Sequence, residues 1–220
     1  MSKILVVANQ KGGVGKTTTA VNLSASLAAT KRKVLMVDLD PQGNATMGCG
    51  IDKHDLEQSL YEVLTGNCDI KEAIVSAEAA GFDVLPTNSD LTAAEVELMD
   101  LPNRETRLRS ALQQVSANYD YIIIDCPPSL SMLTVNAMVA AHGVLIPMQC
   151  EYYALEGLSA LMRTIEKIKS NLNPELEIEG ILRTMYDPRN SLTTDVSTQL
   201  ITHFGDKVYS TVIPRNVRLA

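Results

Sequence analysis

The sequence predicts an α/β fold, a mostly parallel twisted sheet with helices on both faces, and three observations predict it. Short apolar runs alternate with longer amphipathic stretches along the whole chain. Several runs are apolar at consecutive positions, as strands covered on both faces require. No internal repeat and no Pro/Gly/Ser-rich linker divides the 220 residues, so one domain spanning 1–220 is expected.

Each element has its own signal. Ile4-Leu5-Val6-Val7-Ala8 makes 3–8 a strand, and the small-residue stretch after it makes 17–29 a helix. Strands follow at 34–38, 82–85, 121–125, 144–147, 178–183 and 208–213, with helices at 91–99, 104–117, 133–141, 155–170 and 192–204. In the helix at 155–170, Leu155, Leu158, Leu161, Met162 and Ile165 recur every three or four positions and form a core-facing stripe. The stretch 43–80 is the least regular. Its turn signals, Gly48-Cys49-Gly50 and Thr65-Gly66-Asn67, suggest loops and short helices.

Composition narrows the function classes. No stretch approaches the roughly 20 apolar residues that span a bilayer, and the amino terminus enters a strand with no signal-peptide layout, so a cytoplasmic protein is expected. Cys49, Cys68, Cys126 and Cys150 lack C-x-x-C spacing, which argues for buried or free thiols rather than a zinc or iron–sulfur site. His54, His142 and His203 are too scattered to suggest a metal site. Net charge is 19 − 26 = −7, against a uniformly basic nucleic-acid binder. Residues 181–220 nevertheless carry five basic side chains (Arg183, Arg189, Lys207, Arg215, Arg218) against three acidic ones, a local +2 that leaves −9 for 1–180. A solvated surface and a phosphate-binding patch explain that asymmetry equally well.

The most informative segment is Gln10-Lys11-Gly12-Gly13-Val14-Gly15-Lys16-Thr17-Thr18, between the first strand and the first helix. Glycines there let the backbone curl around a polyphosphate, and the following helix offers its amino-terminal N–H groups and positive dipole end. Lys16 would reach the β- and γ-phosphates and the Thr17 hydroxyl would ligate Mg²⁺. The pattern departs from the general P-loop in having Gln10 where its first glycine belongs, followed by the extra Lys11.

Two further strands end in carboxylates. Val34-Leu35-Met36-Val37 runs into Asp38-Leu39-Asp40-Pro41, placing two acids at the edge where open parallel sheets bind ligands. Alternation sends Asp38 and Asp40 to one side, where Asp40 can orient or activate a water and Asp38 can hold a metal's hydration shell. Tyr121-Ile122-Ile123-Ile124-Asp125 has the form of a strand whose terminal aspartate holds Mg²⁺, and Cys126-Pro127-Pro128-Ser129 then stiffens the start of a switch-like loop.

With these motifs, Asp38 to Thr46, and Ile213-Pro214-Arg215-Asn216-Val217-Arg218, nearly the whole chain resembles the ParA/Soj chromosome-partitioning ATPases. These belong with the MinD cell-division ATPases to the P-loop NTPases with a deviant Walker A motif. The resemblance implies ATP and Mg²⁺ as cofactors, with Lys11 to Thr18 (Lys11, Gly12, Gly13, Val14, Gly15, Lys16, Thr17, Thr18) around the phosphates. It implies that Pro214 and Asn216 touch the adenine, and that Lys11, Lys16 and Asp40 are catalytic. Thr17, Asp38 and Asp125 become the metal group. Lys11 would cross to the nucleotide of a second copy, so that a homodimer sandwiches two ATPs. Arg189 and Arg215 would belong to a sequence-independent double-stranded DNA surface, and a ParB-type partner would trigger hydrolysis and release in the nucleoid-associated cytoplasmic protein. Relatives continue beyond Leu219-Ala220 through a loop and closing helices, so a domain lacking those helices is expected, with no membrane partner. The alternatives are a MinD-like membrane-cycling ATPase and a metabolic or redox enzyme on the same loop.

Overall fold

Successive strand positions pack into two separate hydrophobic layers, which is why the sheet is covered on both sides. Along the first strand and the residue after it, Ile4, Val6 and Ala8 belong to one layer and Leu5 and Val7 to the other, and Leu35 and Val37 are likewise split from Val34 and Met36. The protein, described over residues 2–216, is a computed structural model. Its strands are β1 (Lys3–Val7), β2 (Val34–Asp38), β3 (Val75–Ala77), β4 (Phe82–Leu85), β5 (Tyr121–Asp125), β6 (Gly143–Gln149), β7 (Glu177–Tyr186) and β8 (Val208–Pro214). They form one sheet in the order β3-β4-β2-β5-β1-β6-β7-β8, parallel throughout except for the β3–β4 pair.

The order reverses at β1. The chain moves outward from β1 to β2 on one side and later from β6 to β8 on the other, so the crevice of a doubly wound sheet opens above the carboxyl end of β1. One face carries α1 (Lys16–Ala29) and α2 (Asn44–Gly48). The other carries α3 (Leu60–Thr65), α4 (Ile70–Ala73), α5 (Leu91–Glu97), α6 (Arg107–Gln113), α7 (Met132–Ala140), α8 (Ala154–Asn171) and α9 (Ser191–Phe204). The buried positions of α1 are Lys16, Ala20 and Ser24, one residue per turn, and the last two are small enough to bring the helix close to the sheet. The stripe expected on α8 does face the core, with Leu158, Leu161, Ile165 and Ile168 buried.

The irregular stretch 43–80 resolves into α2, α3, α4 and the short antiparallel β3, which the sequence did not announce. A capping box starts α3: Ser59 caps the helix and the Glu62 carboxylate accepts from the Ser59 N–H at 2.7 Å. The helix expected at 104–117 is cut to α6 and a 3-10 turn at Ser116–Asn118. Its start is set from outside. Asn136 on α7 accepts the Leu108 N–H at 3.1 Å and donates to the Arg104 carbonyl at 2.7 Å, occupying groups that a longer helix would pair internally. Residues 98 and 99, expected as the end of a helix, belong to another 3-10 turn, Leu98–Asp100. Strands β6 and β7 run on to Gln149 and Tyr186, beyond their apolar stretches, because Gln149 and Thr184 still pair across the ladder.

Leu35 lies at the centre of the sheet with no exposed surface. Leu35→Ala should lower unfolding free energy by about 2–5 kcal/mol, the range for buried leucine truncations, read as a lower urea midpoint at unchanged m-value. Circular dichroism is the suitable probe, since the chain has no Trp.

Candidate nucleotide site at the carboxyl edge of the sheet

The loop from Asn9 to Gly15 leaves the end of β1 and passes over the switch point. Gly13 and Gly15 have φ of +71° and +87°, left-handed values that suit glycine, and a Cβ on Gly12 or Gly13 would meet nothing within 4 Å. The space beside these glycines is open. Helix α1 begins at Lys16 with no side-chain cap, so its first-turn N–H groups have no helical carbonyl to bond and are available to an anion.

The loop is braced at its margins. The Asn9 amide donates to the Pro147 carbonyl at 2.8 Å while its Oδ1 accepts the Lys11 N–H at 3.0 Å. The Lys11 ammonium is paired with Glu151, just beyond β6. Thr184 on β7 donates its hydroxyl to the Val14 carbonyl at 2.8 Å.

Lys16 is only 7% exposed and its Nζ donates to the Lys11 carbonyl at 3.2 Å. Burial lowers its pKa, and the nearby charges of Asp125 and Asp40 oppose that shift. Asp38 and Asp125 stand opposite each other in the β2–β5 register, and neither residue has exposed surface. Asp38 is fully engaged: one oxygen accepts the Thr46 N–H and hydroxyl, each at 2.7 Å, and the other accepts the Asp40 N–H at 3.2 Å. Its pKa is pushed up to about 6, first by burial. Both oxygens of Asp125 lack a hydrogen-bond partner, although the Thr17 hydroxyl is near enough to favour the ionised form. Burial first, then the charge of Asp38, pushes the Asp125 carboxyl up to about 8. Asp40 is half-buried, with Oδ1 accepting the Gln42 N–H at 3.0 Å, and its charge reaches Lys16, Asp38 and Asp125.

Lys11, Gly12, Gly13, Val14, Gly15, Lys16, Thr17, Thr18, Asp38, Asp40 and Asp125 therefore gather at one edge. A buried, unpartnered carboxylate beside a threonine hydroxyl and an open glycine loop fits a divalent cation bound together with an anionic ligand. The turn after Asp40 is tightly constrained as well. Gly43 has φ +62°, and a Cβ there would lie 2.9 Å from the Thr87 carbonyl, so only glycine lets α2 bring Thr46 under Asp38.

The predicted basic residues lie elsewhere. Arg189, in the β7–α9 loop, makes a fork with Asp187 at 2.9 and 2.8 Å, and Asp187 also feels the charge of Arg215. Pro214 pairs with Tyr186 at the end of β8, and the Arg215 N–H donates to the Tyr186 carbonyl at 3.3 Å. Asn216 follows, while Val217 and Arg218 of the same motif lie outside the described residues. Sequence reasoning missed Asn9, Glu151 and Thr184 as parts of the loop's setting. Asn9 adjoins the motif, but Glu151 and Thr184 lie 140 and 170 residues from their partners and leave no local signal.

Comparison with known proteins gives this geometry a context. Residues 2–178 match the pattern of an AAA domain. An uncharacterised protein of Pseudomonas putida is 66% identical over all of this chain and 84% of its own length. The chromosome partitioning protein ParA of Caulobacter vibrioides is 54% identical over 99% of this chain and 82% of its own. The sporulation initiation inhibitor protein Soj of Bacillus subtilis is 54% identical over 100% and 87%. Among solved structures, a Mycobacterium smegmatis protein described as cobyrinic acid a,c-diamide synthase, with bound ADP and magnesium, superposes with TM-score 0.93 at 42% identity, covering 98% of this chain and 88% of that one. A putative plasmid partition protein of Borrelia burgdorferi bound to AMPPNP superposes at 0.84 with 28% identity, covering 100% and 87%.

The buried charge of Asp125 yields a prediction for the ligand-free protein. Its folded pKa lies above the usual carboxylate value, so the folded state disfavours ionisation and loses stability as pH rises from about 4 to about 8. Asp125→Asn should remove that loss, raising the calorimetric midpoint of ligand-free protein at pH 8 by a few degrees and much less at pH 5. The same variant should lose most of the stabilisation that magnesium adds to nucleotide.

Proposed function

The chain belongs to the ParA/Soj family of chromosome-partitioning ATPases, and from that premise we propose that it is an ATP-hydrolysing switch of DNA segregation, acting in the cytoplasm on the nucleoid. In this reading ATP and Mg²⁺ drive two copies into a sandwich, the dimer binds double-stranded DNA without regard to sequence, and a ParB-type partner stimulates hydrolysis and release. The observation that carries it is the cluster of Lys16, Asp125, Asp38 and Asp40 beneath an open glycine loop.

The residues divide the work by their surroundings. Loop amides and the first turn of α1 bind the phosphates, and Lys16, held between Asp125 and Asp40, keeps its charge close to the group transferred. Thr17 and Asp125 would hold Mg²⁺, with Asp38 acting on its hydration shell; the ion supplies charge neutralisation at the phosphate oxygens. Asp40 is aimed by the Gln42 N–H and orients the attacking water. Because Asp38 is committed to Thr46, the network also ties α2 to the metal group. Lys11, paired with Glu151 in a single chain, would exchange that partner for the nucleotide of the second copy. Pro214 and Asn216 would lie against the adenine, and Arg189 and Arg215 would neutralise DNA phosphates.

Asp40→Ala should bind ATP with near-normal affinity, hydrolyse it at least tenfold more slowly and accumulate as a dimer in light scattering with ATP and Mg²⁺. Lys11→Ala should bind ATP and remain monomeric. Retained binding with monomer only for Asp40→Ala would remove the sandwich from this reading.

Arg189→Glu should weaken binding to unrelated duplexes equally, because phosphate contacts carry no sequence information, and should lower the slope of log affinity against log salt by about one. ATP turnover should persist. Anisotropy with two DNA sequences across a salt series makes the measurement. Unchanged DNA affinity would turn the reading toward membrane cycling, for which co-sedimentation with anionic liposomes is the companion assay.

A further inference from the structure

One strand with no assigned part in phosphate binding reaches into the phosphate loop. Thr184, 5% exposed and near the end of β7, donates its hydroxyl to the Val14 carbonyl at 2.8 Å, and its Cγ2 methyl stands 3.9 Å from where a Cβ on Gly15 would lie. A trans peptide unit is planar, with its C=O and N–H directed oppositely. Holding the Val14 carbonyl against β7 therefore turns the Gly15 N–H away from β7, and Gly15, at φ +87°, is the N-cap of α1.

The same strand continues directly into the basic arm. Met185 has φ +48°, a left-handed value that a non-glycine side chain adopts at a cost and keeps only when its neighbours hold it there. Those neighbours are bonded on both sides. Thr184 is fastened to Val14, and the Tyr186 carbonyl accepts the Arg215 N–H at 3.3 Å. Asp187 comes next and holds the Arg189 guanidinium. The Thr184 hydrogen bond and the short stretch from Met185 to Asp187 thus link the phosphate loop to the groups that hold both arginines.

We propose that Thr184 is a positioning residue that couples phosphate occupancy to the setting of residues 185–190. An anion drawing on the Gly15 N–H fixes the Val14–Gly15 plane, which strengthens the hold on Thr184 and keeps Met185 in its strained state, with Arg189 and Arg215 presented together. Coupling of this kind is reciprocal, so a ligand on the arginines raises ATP affinity by the factor by which ATP raises theirs. The consequence for DNA rests on the DNA-binding reading above. The coupling itself does not.

The test compares the full chain with Thr184→Val, which removes the hydroxyl at nearly constant shape, and Thr184→Ser, which keeps it. In the wild type, ATP with Mg²⁺ should slow amide exchange at 185–190. Thr184→Val should lose that ATP-dependent protection, and the ratio of DNA affinities with saturating ATP and without nucleotide should fall roughly three- to tenfold, the scale of one neutral hydrogen bond. Thr184→Ser should restore both, which a merely packed threonine would not predict. Wild-type exchange at 185–190 that ignores ATP, or a Thr184→Val protein with wild-type protection, overturns the proposal. DNA affinity that is the same with ATP and without nucleotide in the wild type overturns the DNA reading instead, and the exchange measurement still decides the coupling.

Discussion

Two carboxylates are buried side by side across the β2–β5 ladder, and much of the structure around them exists to make that tolerable. Removing an ionised group from water is costly unless it is paired or hydrogen-bonded. Asp38 meets that demand with three donors from Thr46 and Asp40. Those donors require α2 to sit where it does, which requires the turn at Gly43, where a side chain would strike the Thr87 carbonyl. Asp125 receives no such treatment. Its oxygens are unpartnered, and burial together with the neighbouring Asp38 pushes its carboxyl up to about 8, with the buried Lys16 opposing the shift. The site thus holds a carboxyl whose ionised form is disfavoured, at the spot where a cation with an anionic ligand would favour it.

A glycine loop that must wrap closely around a ligand loses much conformational freedom on becoming ordered, and this one is ordered from its margins. Asn9, Lys11 and Val14 are each bonded to a residue at the end of β6 or β7. Gly12 and Gly13, between the anchors, stay clear of any neighbour. The division gives a loop of set outline with an open middle, and it places the bracing strands on the side away from the carboxylates. The glycine loop and the carboxylate cluster are consequently supported by opposite halves of the sheet, which meet at β1.

Arg189 and Arg215 form a separate neighbourhood around Asp187. Arg189 is 87% exposed there, so its fork with Asp187 is a surface pair of small energetic weight and is available to exchange partners. Its position in the fold is not independent of the loop, because β7 carries both Thr184 and the arm that leads to Arg189. A parallel sheet makes this arrangement natural: every parallel strand delivers its carboxyl end to one edge, so distant segments of sequence arrive beside each other.

The alternation of apolar runs and amphipathic stretches was enough to establish the α/β class, seven of the eight strands among the described residues and the doubly covered sheet, because burial on both faces writes itself into consecutive residues. The glycine loop and the acids ending β2 and β5 were equally legible, since strand–loop–helix order is local and a parallel sheet gathers its carboxyl ends without further instruction. What escaped the sequence was of another kind. Strand β3 is three residues long and too short for a period to show. The start of α6 is set by Asn136 from another helix. Which of two neighbouring aspartates would be satisfied and which left bare depended on Thr46 reaching Asp38 rather than Asp125. Glu151 and Thr184 became parts of the loop's setting only when β6 and β7 came to lie beside β1. Periodicity and motif spacing report what a residue does with its near neighbours in the chain, whereas these roles are contacts between segments far apart in sequence, and only the folded sheet brings them together.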